Sequence, residues 1–337
     1  MDLTKIIKPR IDNKSEMEPT ERFDLIKRNT VEVIDESELF ELLKKKKQPV
    51  AYCGYEPSRA PHLGNMVTIT KLMDMQKAGF KVKVLLADMH AYTNLKGNKK
   101  EIDRQCKIWE KGIKAFGLDA EFVKGSDFQF KKEYWMDVIT MSLKISVQRG
   151  LRAMQELARD IENAKISQML YPLMQVEDIK ALGCDVAVGG IDQRKVHMLA
   201  RENLPEVGWQ KPIVVHTPMV VSLLGAGQKM SKSIPGSGIS LDDSDEEIEK
   251  SIKNAYCPAR TIENNAVMQL VQLIIFPRDK GLKIERAEKF GGNVNYEGYL
   301  QLEKDFVDGK LHPMDLKTAV AKELKKIIAP ARKFWEK

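Results

Sequence analysis

Cysteine is scarce in this sequence. The 337 residues hold four, Cys53, Cys106, Cys184 and Cys257, far apart and with no Cys-x-x-Cys pair. That excludes a disulfide scaffold and a cysteine zinc site, and points to a reducing, cytoplasmic compartment. Long apolar runs are absent too. No stretch approaches the roughly 18 apolar residues of a membrane span, and Met1 is followed by polar and charged residues rather than an apolar signal core. The five histidines show no metal-ligand spacing, and there is no internal repeat or low-complexity tract. What is present is ordinary globular material: 43% hydrophobic and 31% charged residues, in a chain about two domains long. Lysine and arginine outnumber the acids 55 to 48, a net charge of +7 with a pI near 9.0. This balance permits a polyanionic partner, and a solvated surface alone accounts for it equally well.

Residues 1–20 lack apolar periodicity and read as an N-terminal extension. A helix is expected from Asp35, where Asp35 and Glu38 make a capping-box pattern ahead of Leu39, Leu42 and Leu43. Val50–Cys53 reads as a buried strand. After a loop from Gly54 to Pro61 a helix is expected from about Gly64, ending at Gly79, and Lys81–Ala87 reads as a second strand. Helical patterns occupy about 99–116 and 133–161. Further strands are expected at Asp185–Val188 and Ile213–Val215, with a helix from about Gln193 between them. Strands alternating with helices predict an α/β fold with a Rossmann-like parallel sheet over residues 21–235. From Ser244 and Glu247, a second capping box, to Lys337 only amphipathic helical stretches are expected, so 245–337 reads as an all-helical C-terminal domain.

Two motifs carry chemistry. Pro61-His62-Leu63-Gly64-Asn65 lies between a strand and a helix. At that junction backbone amides point out at the carboxyl edge of a parallel sheet, where phosphates bind. Gly64 allows close approach and His62 can hydrogen-bond a phosphate oxygen; on these residues alone, a loop histidine and a turn glycine are the more ordinary reading. The second is Lys229-Met230-Ser231-Lys232-Ser233, preceded by Gly225 and Gly227 in a loop at about 225–240. Two ammonium groups three residues apart can close over a triphosphate and neutralise transition-state charge. An arbitrary Lys-x-x-Lys is a solvated basic loop; the intact five-residue run, placed after the histidine loop on the expected side of the sheet, is more specific.

His62-Leu63-Gly64-Asn65 resembles the first signature of the class I aminoacyl-tRNA synthetases, and Lys229–Ser233 is identical to the second. The segments Ala51–Ser58, Leu85–Tyr92, Tyr171–Asp178, Val188–Lys195 and His312–Lys317 resemble tyrosyl-tRNA synthetases of the archaeal and eukaryotic branch, over residues 20–335. Asn65 is a departure, since many members carry histidine there; asparagine still donates a side-chain hydrogen bond.

The resemblance implies ATP-dependent activation of tyrosine and its transfer to the 3′-terminal adenosine of tRNA(Tyr). It implies ATP with Mg²⁺ as substrate complex, with no tightly bound cofactor and no zinc. His62, Asn65, Lys229 and Lys232 would be catalytic. Tyr52 and Asp178 would read the tyrosine hydroxyl as donor and acceptor, and Tyr171, Gln175 and Gln193 would bind the ammonium. Gly54, Glu56, Leu85 and His90 would line the same pocket. Gly64, Gly189, Gly190 and Asp192, with Met230, Ser231 and Ser233, would complete the ATP site. Without the resemblance, Tyr52 reads as a core aromatic, Asp178 as a capping or surface acid, Tyr171 and Gln175 as a packed helical face, and Asp192 as an N-cap.

For tRNA the resemblance implies Arg152, Arg194 and Lys195 near the acceptor end, and Phe290, His312 and Asp315 at the anticodon. An aromatic can stack on an unpaired base and an aspartate can accept from a guanine edge. Residues 130–165 match a connecting insertion that forms a homodimer interface; Trp135, Met136, Val138, Ile139 and Met141 supply its apolar surface, or ordinary core. The rivals are a tryptophanyl-tRNA synthetase, a catalytically silent RNA-binding paralogue and a small nucleotidyltransferase. Leu311–Lys337 holds seven basic residues against three acids and so contributes +4 of the net charge, which suggests a basic track for tRNA.

Overall fold

The computed structural model describes residues 17–154, 165–225, 234, 236–278 and 281–335. The chain runs α1 (Pro19–Lys27), β1 (Glu32–Ile34), α2 (Glu36–Lys45), β2 (Val50–Tyr55), α3 (Leu63–Lys77), β3 (Lys81–Leu86), α4 (Asp88–Thr93), α5 (Lys99–Phe116) and β4 (Glu121–Lys124). It continues with α6 (Lys132–Ser142), α7 (Val147–Met154), α8 (Ile166–Ala181), β5 (Val186–Gly190), α9 (Arg194–Asn203) and β6 (Ile213–Thr217). The C-terminal part contains α10 (Asp245–Asn254), α11 (Ala266–Leu270), β7 (Leu282–Ile284), β8 (Val294–Tyr296), α12 (Tyr299–Val307) and α13 (Pro313–Arg332).

One six-stranded sheet, in the order β1-β6-β5-β2-β3-β4, organises the first part. The β6, β5, β2, β3 and β4 strands are mutually parallel, while β1 joins β6 antiparallel. The Rossmann-like parallel sheet expected from sequence is present, with one antiparallel strand added at its edge. Three residues of β1 carry too little pattern to be read as a strand. From β2 the chain winds outward to β3 and β4, then returns to place β5 on the other side of β2. That reversal opens a crevice at the carboxyl ends of β2 and β5, where ligands bind in open α/β sheets.

Side-chain alternation divides the core between the two faces. Ala51, Cys53, Val82, Val84, Val186, Val188 and Val215 enter one cluster with α3 and α5; Tyr52, Leu85, Ala187 and Val214 enter the other with α6, α8 and α9. The first cluster runs on without a break into Ile248, Val267, Phe306, Leu316 and Leu324. The C-terminal segment is therefore packed against the sheet's α3–α5 side through a shared apolar core.

Several boundaries fall as read: α5 spans 99–116, Asp35 caps α2 by accepting from Ser37 N and Glu38 N, and Ser244 caps α10 in a capping box with Glu247. Others need correction. Helix α1 begins at Pro19, inside the expected extension, and buries Arg22, whose guanidinium donates to the carbonyls of Ala78, Leu43 and Lys47. The single helix expected at 133–161 is two, α6 and α7, and residues 155–164 lie outside the described set. The C-terminal part is not all-helical, because β7 and β8 pair antiparallel. Three-residue strands carry too little alternation to announce themselves. Among the described residues no helix is long and apolar enough to cross a membrane.

Candidate active site

The histidine loop is built around its own helix cap. His62 Nδ1 accepts from Gly64 N at 3.1 Å, and Asn65 Oδ1 accepts from His62 N at 3.1 Å, so the two side chains close a capping box on α3. The accepting Nδ1 leaves the proton of a neutral imidazole on Nε2, which makes His62 a donor. A Cβ on Gly64 would stand 2.9 Å from His62 Cε1, so only glycine lets the ring fold back this far. Trp109 Nε1 fixes the loop by donating to the Arg59 carbonyl at 2.8 Å. The segment that follows the lysine motif clips onto the same loop: Leu63 N donates to Ile239 O and Leu241 N to Pro61 O. Lys229, Met230, Ser231, Lys232 and Ser233 themselves lie outside the described residues.

At the other end of the crevice Asp178, on α8, is fully buried. Its Oδ1 accepts from Gln129 Nε2 at 2.8 Å and from the Tyr134 hydroxyl at 2.9 Å. Among the described residues its Oδ2 has no hydrogen-bond partner. Burial raises the Asp178 carboxyl to about 7, against the opposing effect of the Gln129 and Tyr134 hydrogen bonds. His90 Nε2 lies 3.6 Å from Oδ2 and has no hydrogen-bond partner among the described residues. Burial pushes His90 down to about 4, so it is neutral near pH 7 and meets Asp178 without an opposite charge. Tyr171 packs edge-on against His90, centroids 4.5 Å apart. Tyr52, 1% exposed at the centre of β2, has its phenol held well above the usual range, first by burial and then by the Asp178 charge.

Between these ends, Gln175 Nε2 donates to Gln193 Oε1 at 3.1 Å, and Gln193 Nε2 to Asp192 Oδ2 at 3.1 Å. Glu56 accepts from Asn94 Nδ2 at 3.0 Å and has Lys96 within 3.8 Å. The result is one cavity of about 420 Å³, lined by Tyr52, Gly54, Glu56, His62, Gly64, Asn65, Leu85, His90, Tyr171, Gln175, Asp178, Gly189, Gly190, Asp192 and Gln193 among others. One end presents an enclosed, unpaired carboxylate oxygen. The other presents a helix N-terminus and an imidazole donor. Such a space fits an elongated ligand with a buried polar tip and an anionic tail. Among the described residues no cluster of histidine, cysteine or acidic side chains could hold a metal ion.

Residues 44–329 match the family described as tRNA synthetases class I (W and Y). The chain belongs to this family. This synthetase is 50% identical over 319 residues to the tyrosine–tRNA ligase of Methanococcoides burtonii, covering 94% of this chain and all of that one. It is 49% identical over 320 residues to that of Archaeoglobus fulgidus, covering 94% and 98%. A solved tyrosyl-tRNA synthetase from Archaeoglobus fulgidus, complexed with L-tyrosine, superposes with a TM-score of 0.91 at 48% identity over 95% of this chain and 100% of that one. A tryptophanyl-tRNA synthetase from Giardia lamblia, at 18% identity and a TM-score of 0.71, shares the fold.

Every residue expected in the tyrosine pocket lines the synthetase's cavity; those expected at tRNA do not, although Arg194 and Lys195 directly follow the lining Gln193 in the chain. Arg152 is exposed on α7, and Arg194 pairs with Glu32 at 2.8 Å. Phe290 is 62% exposed beneath the Lys289 ammonium, while His312 caps α13 by accepting from Met314 N and Asp315 sits in that helix's first turn. The C-terminal positive charge is less free than its sequence count suggests. Lys322, Lys325, Lys326 and Arg332 pair with Glu285, Glu249, Glu323 and Asp245. Sequence reasoning missed Gln129 and Tyr134, the two donors that orient Asp178, because neither lies in a motif; only folding brings them to α8.

Proposed function

We propose that this synthetase is a tyrosine–tRNA ligase. A tyrosine carboxylate oxygen attacks the α-phosphorus of ATP, the bond to the bridging oxygen breaks, and pyrophosphate leaves. The terminal ribose hydroxyl of tRNA(Tyr) then attacks the activated carbonyl and AMP departs. The observation that carries the tyrosine assignment is the buried, unpartnered Asp178 Oδ2 in the cavity that Tyr52 also lines. A phenol supplies a proton to Asp178 and an oxygen to Tyr52. Phenylalanine leaves both unmatched, at about 1–3 kcal/mol for each buried group, and an indole can only donate. That the similar Archaeoglobus fulgidus enzyme was solved with L-tyrosine supports the same reading.

The reaction needs no nucleophilic side chain. His62 Nε2–H and the α3 N-terminus would meet phosphate oxygens, Asn65 would hold His62 and donate from its amide, and Lys229 and Lys232 would neutralise charge that develops on the leaving pyrophosphate. Gly189, Gly190 and Asp192 would take adenosine, with Met230, Ser231 and Ser233 beside the phosphates and Mg²⁺ arriving on ATP. Glu56, Tyr171, Gln175 and Gln193 would surround the ammonium. Arg152, Arg194 and Lys195 would meet the acceptor end, and Phe290, His312 and Asp315 the anticodon. A cytoplasmic homodimer fits this reading: Met136, Ile139, Leu143 and Val147 leave an apolar strip exposed from α6 across its C-cap to the start of α7, while Val138 and Met141 turn inward to the core.

Pyrophosphate exchange with each of the twenty amino acids tests the assignment. Tyrosine alone should support it; a preference for tryptophan, or no exchange at all, overturns it. In single turnover, Lys229→Ala and Lys232→Ala should each slow adenylate formation by about 10²-fold or more while tyrosine still binds.

A further inference from the structure

A pair of buried histidines with no part in the roles above leads from the surface into the cavity. His216, on β6, is fully buried and His197, on α9, is 2% exposed. His216 Nδ1 lies 2.8 Å from Glu32 Oε1, and His216 Nε2 lies 2.9 Å from His197 Nδ1. The rings are within 12° of parallel and their centroids are 5.1 Å apart. With two nitrogens in contact at that separation, the rings meet edge to edge through a hydrogen bond rather than face to face. Glu32 Oε1 also accepts from Arg194 Nε at 2.8 Å.

The protons on this chain follow from its outer end. A carboxylate only accepts, so His216 donates to Glu32 from Nδ1. Burial pushes His197 down to about 3 and lowers His216, so both rings are neutral and carry one proton each. His216 Nε2 is then an acceptor, His197 donates to it from Nδ1, and the lone pair of His197 falls on Nε2. No described residue donates to that atom, and His197 is part of the cavity wall. A Cβ on residue 189 would stand 3.0 Å from both His197 Cε1 and Gln193 Cβ. The missing side chain of Gly189 is what lets both reach the cavity there.

We propose that Glu32 and His216 are positioning residues that lock His197 as its Nδ1–H tautomer, so that His197 Nε2 accepts a hydrogen bond from a donor on the bound substrates. The proposal rests on the tyrosine–tRNA ligase reading of the cavity. The donor is an ammonium of tyrosine or an N–H or O–H of adenosine. Gln193, one turn earlier and against the same face of Gly189, points to the ammonium. Without the lock, His197 would present an N–H to that donor and repel it.

Imidazole ¹⁵N NMR on the wild-type protein reads the tautomers directly, with no dependence on a variant's folding. His197 and His216 should both be protonated on Nδ1, and the His197 Nε2 resonance should move when substrate is added. A proton on His197 Nε2, or a resonance indifferent to both tyrosine and an ATP analogue, overturns the proposal. In pyrophosphate exchange, Glu32→Ala and His197→Phe should each raise the KM for tyrosine about tenfold while kcat changes little, as expected for a lost hydrogen bond to a charged group. A rise in the KM for ATP instead assigns the acceptor to adenosine. Unchanged KM values for both substrates overturn the relay, since a pair that only filled the space between α9 and β6 would give that result. Absence of tyrosine-dependent exchange in the wild type is a different failure. It overturns the ligase reading and leaves the tautomers to judge the lock.

Discussion

On the proposed reading, the amino-acid end of the cavity and the surface around Phe290 face the same problem, selecting one ligand from many, with opposite physics. Asp178, Tyr52 and His90 are almost wholly withdrawn from water, whereas Phe290 is 62% exposed. Asp178 has its Oδ1 filled by Gln129 and Tyr134 and its Oδ2 left for a ligand, so a mismatched side chain strands a buried group. At Phe290 any base offers a face to stack on and no polar group is buried, so a mismatch strands nothing. Discrimination between small molecules is therefore concentrated in a few atoms. Recognition of a large polyanion has to be distributed over stacking and charge, each contribution small.

The sharpest break of this contrast is Asp178→Ala, which should lower kcat/KM for tyrosine in pyrophosphate exchange by about 10²–10³-fold, the scale for deleting one partner of a buried charged hydrogen bond. Gln129→Ala removes one of the two donors to Oδ1 and should raise the KM for tyrosine about tenfold. An unchanged KM would show that Tyr134 alone orients the carboxylate. Acidity probes the same atom. Because the carboxyl titrates at about 7 and only its ionised form accepts the phenol proton, the KM for tyrosine should rise about tenfold between pH 8 and pH 6.

The corresponding stability effect has the opposite sense. The folded value lies above the ordinary unfolded value of about 3.9, so the folded state holds the extra proton between those limits. Stability from this group is present at low pH and is lost as pH rises through about 7. Asp178→Asn should accordingly resist urea better than wild type at pH 8, with the advantage shrinking by pH 5.

At the exposed region the effects should be smaller. Phe290→Ala should reduce the kcat/KM for tRNA about tenfold, the scale for one lost base stack, and leave pyrophosphate exchange alone. Smallest per site is charge. Raising salt from about 50 to about 200 mM should increase the KM for tRNA and spare that for tyrosine. The ion pairs of Lys322, Lys325, Lys326 and Arg332 should make that slope shallower than seven basic residues imply.

Much of this was legible in the chain. Glycines, capping boxes and 3.6-residue or two-residue periodicity act over a few neighbours, so α2, α5, α10, β2, β3 and the histidine loop could be read where they stand. The residue types around the cavity were legible through resemblance, since Tyr52, Asp178, Tyr171, Gln175 and Gln193 fall in quotable segments. Tertiary structure alone decided which of their valences are filled. Gln129 and Tyr134 reach Asp178 across 49 and 44 residues, and Glu32 reaches His216 across 184. It also decided that β1 runs antiparallel at the sheet edge, that β7 and β8 interrupt the C-terminal helices, and which side of α6 faces solvent. The physical reason is common to all of these. Local pattern states what a segment prefers, but burial, proton position and charge pairing are properties of atoms that meet only when the chain has folded.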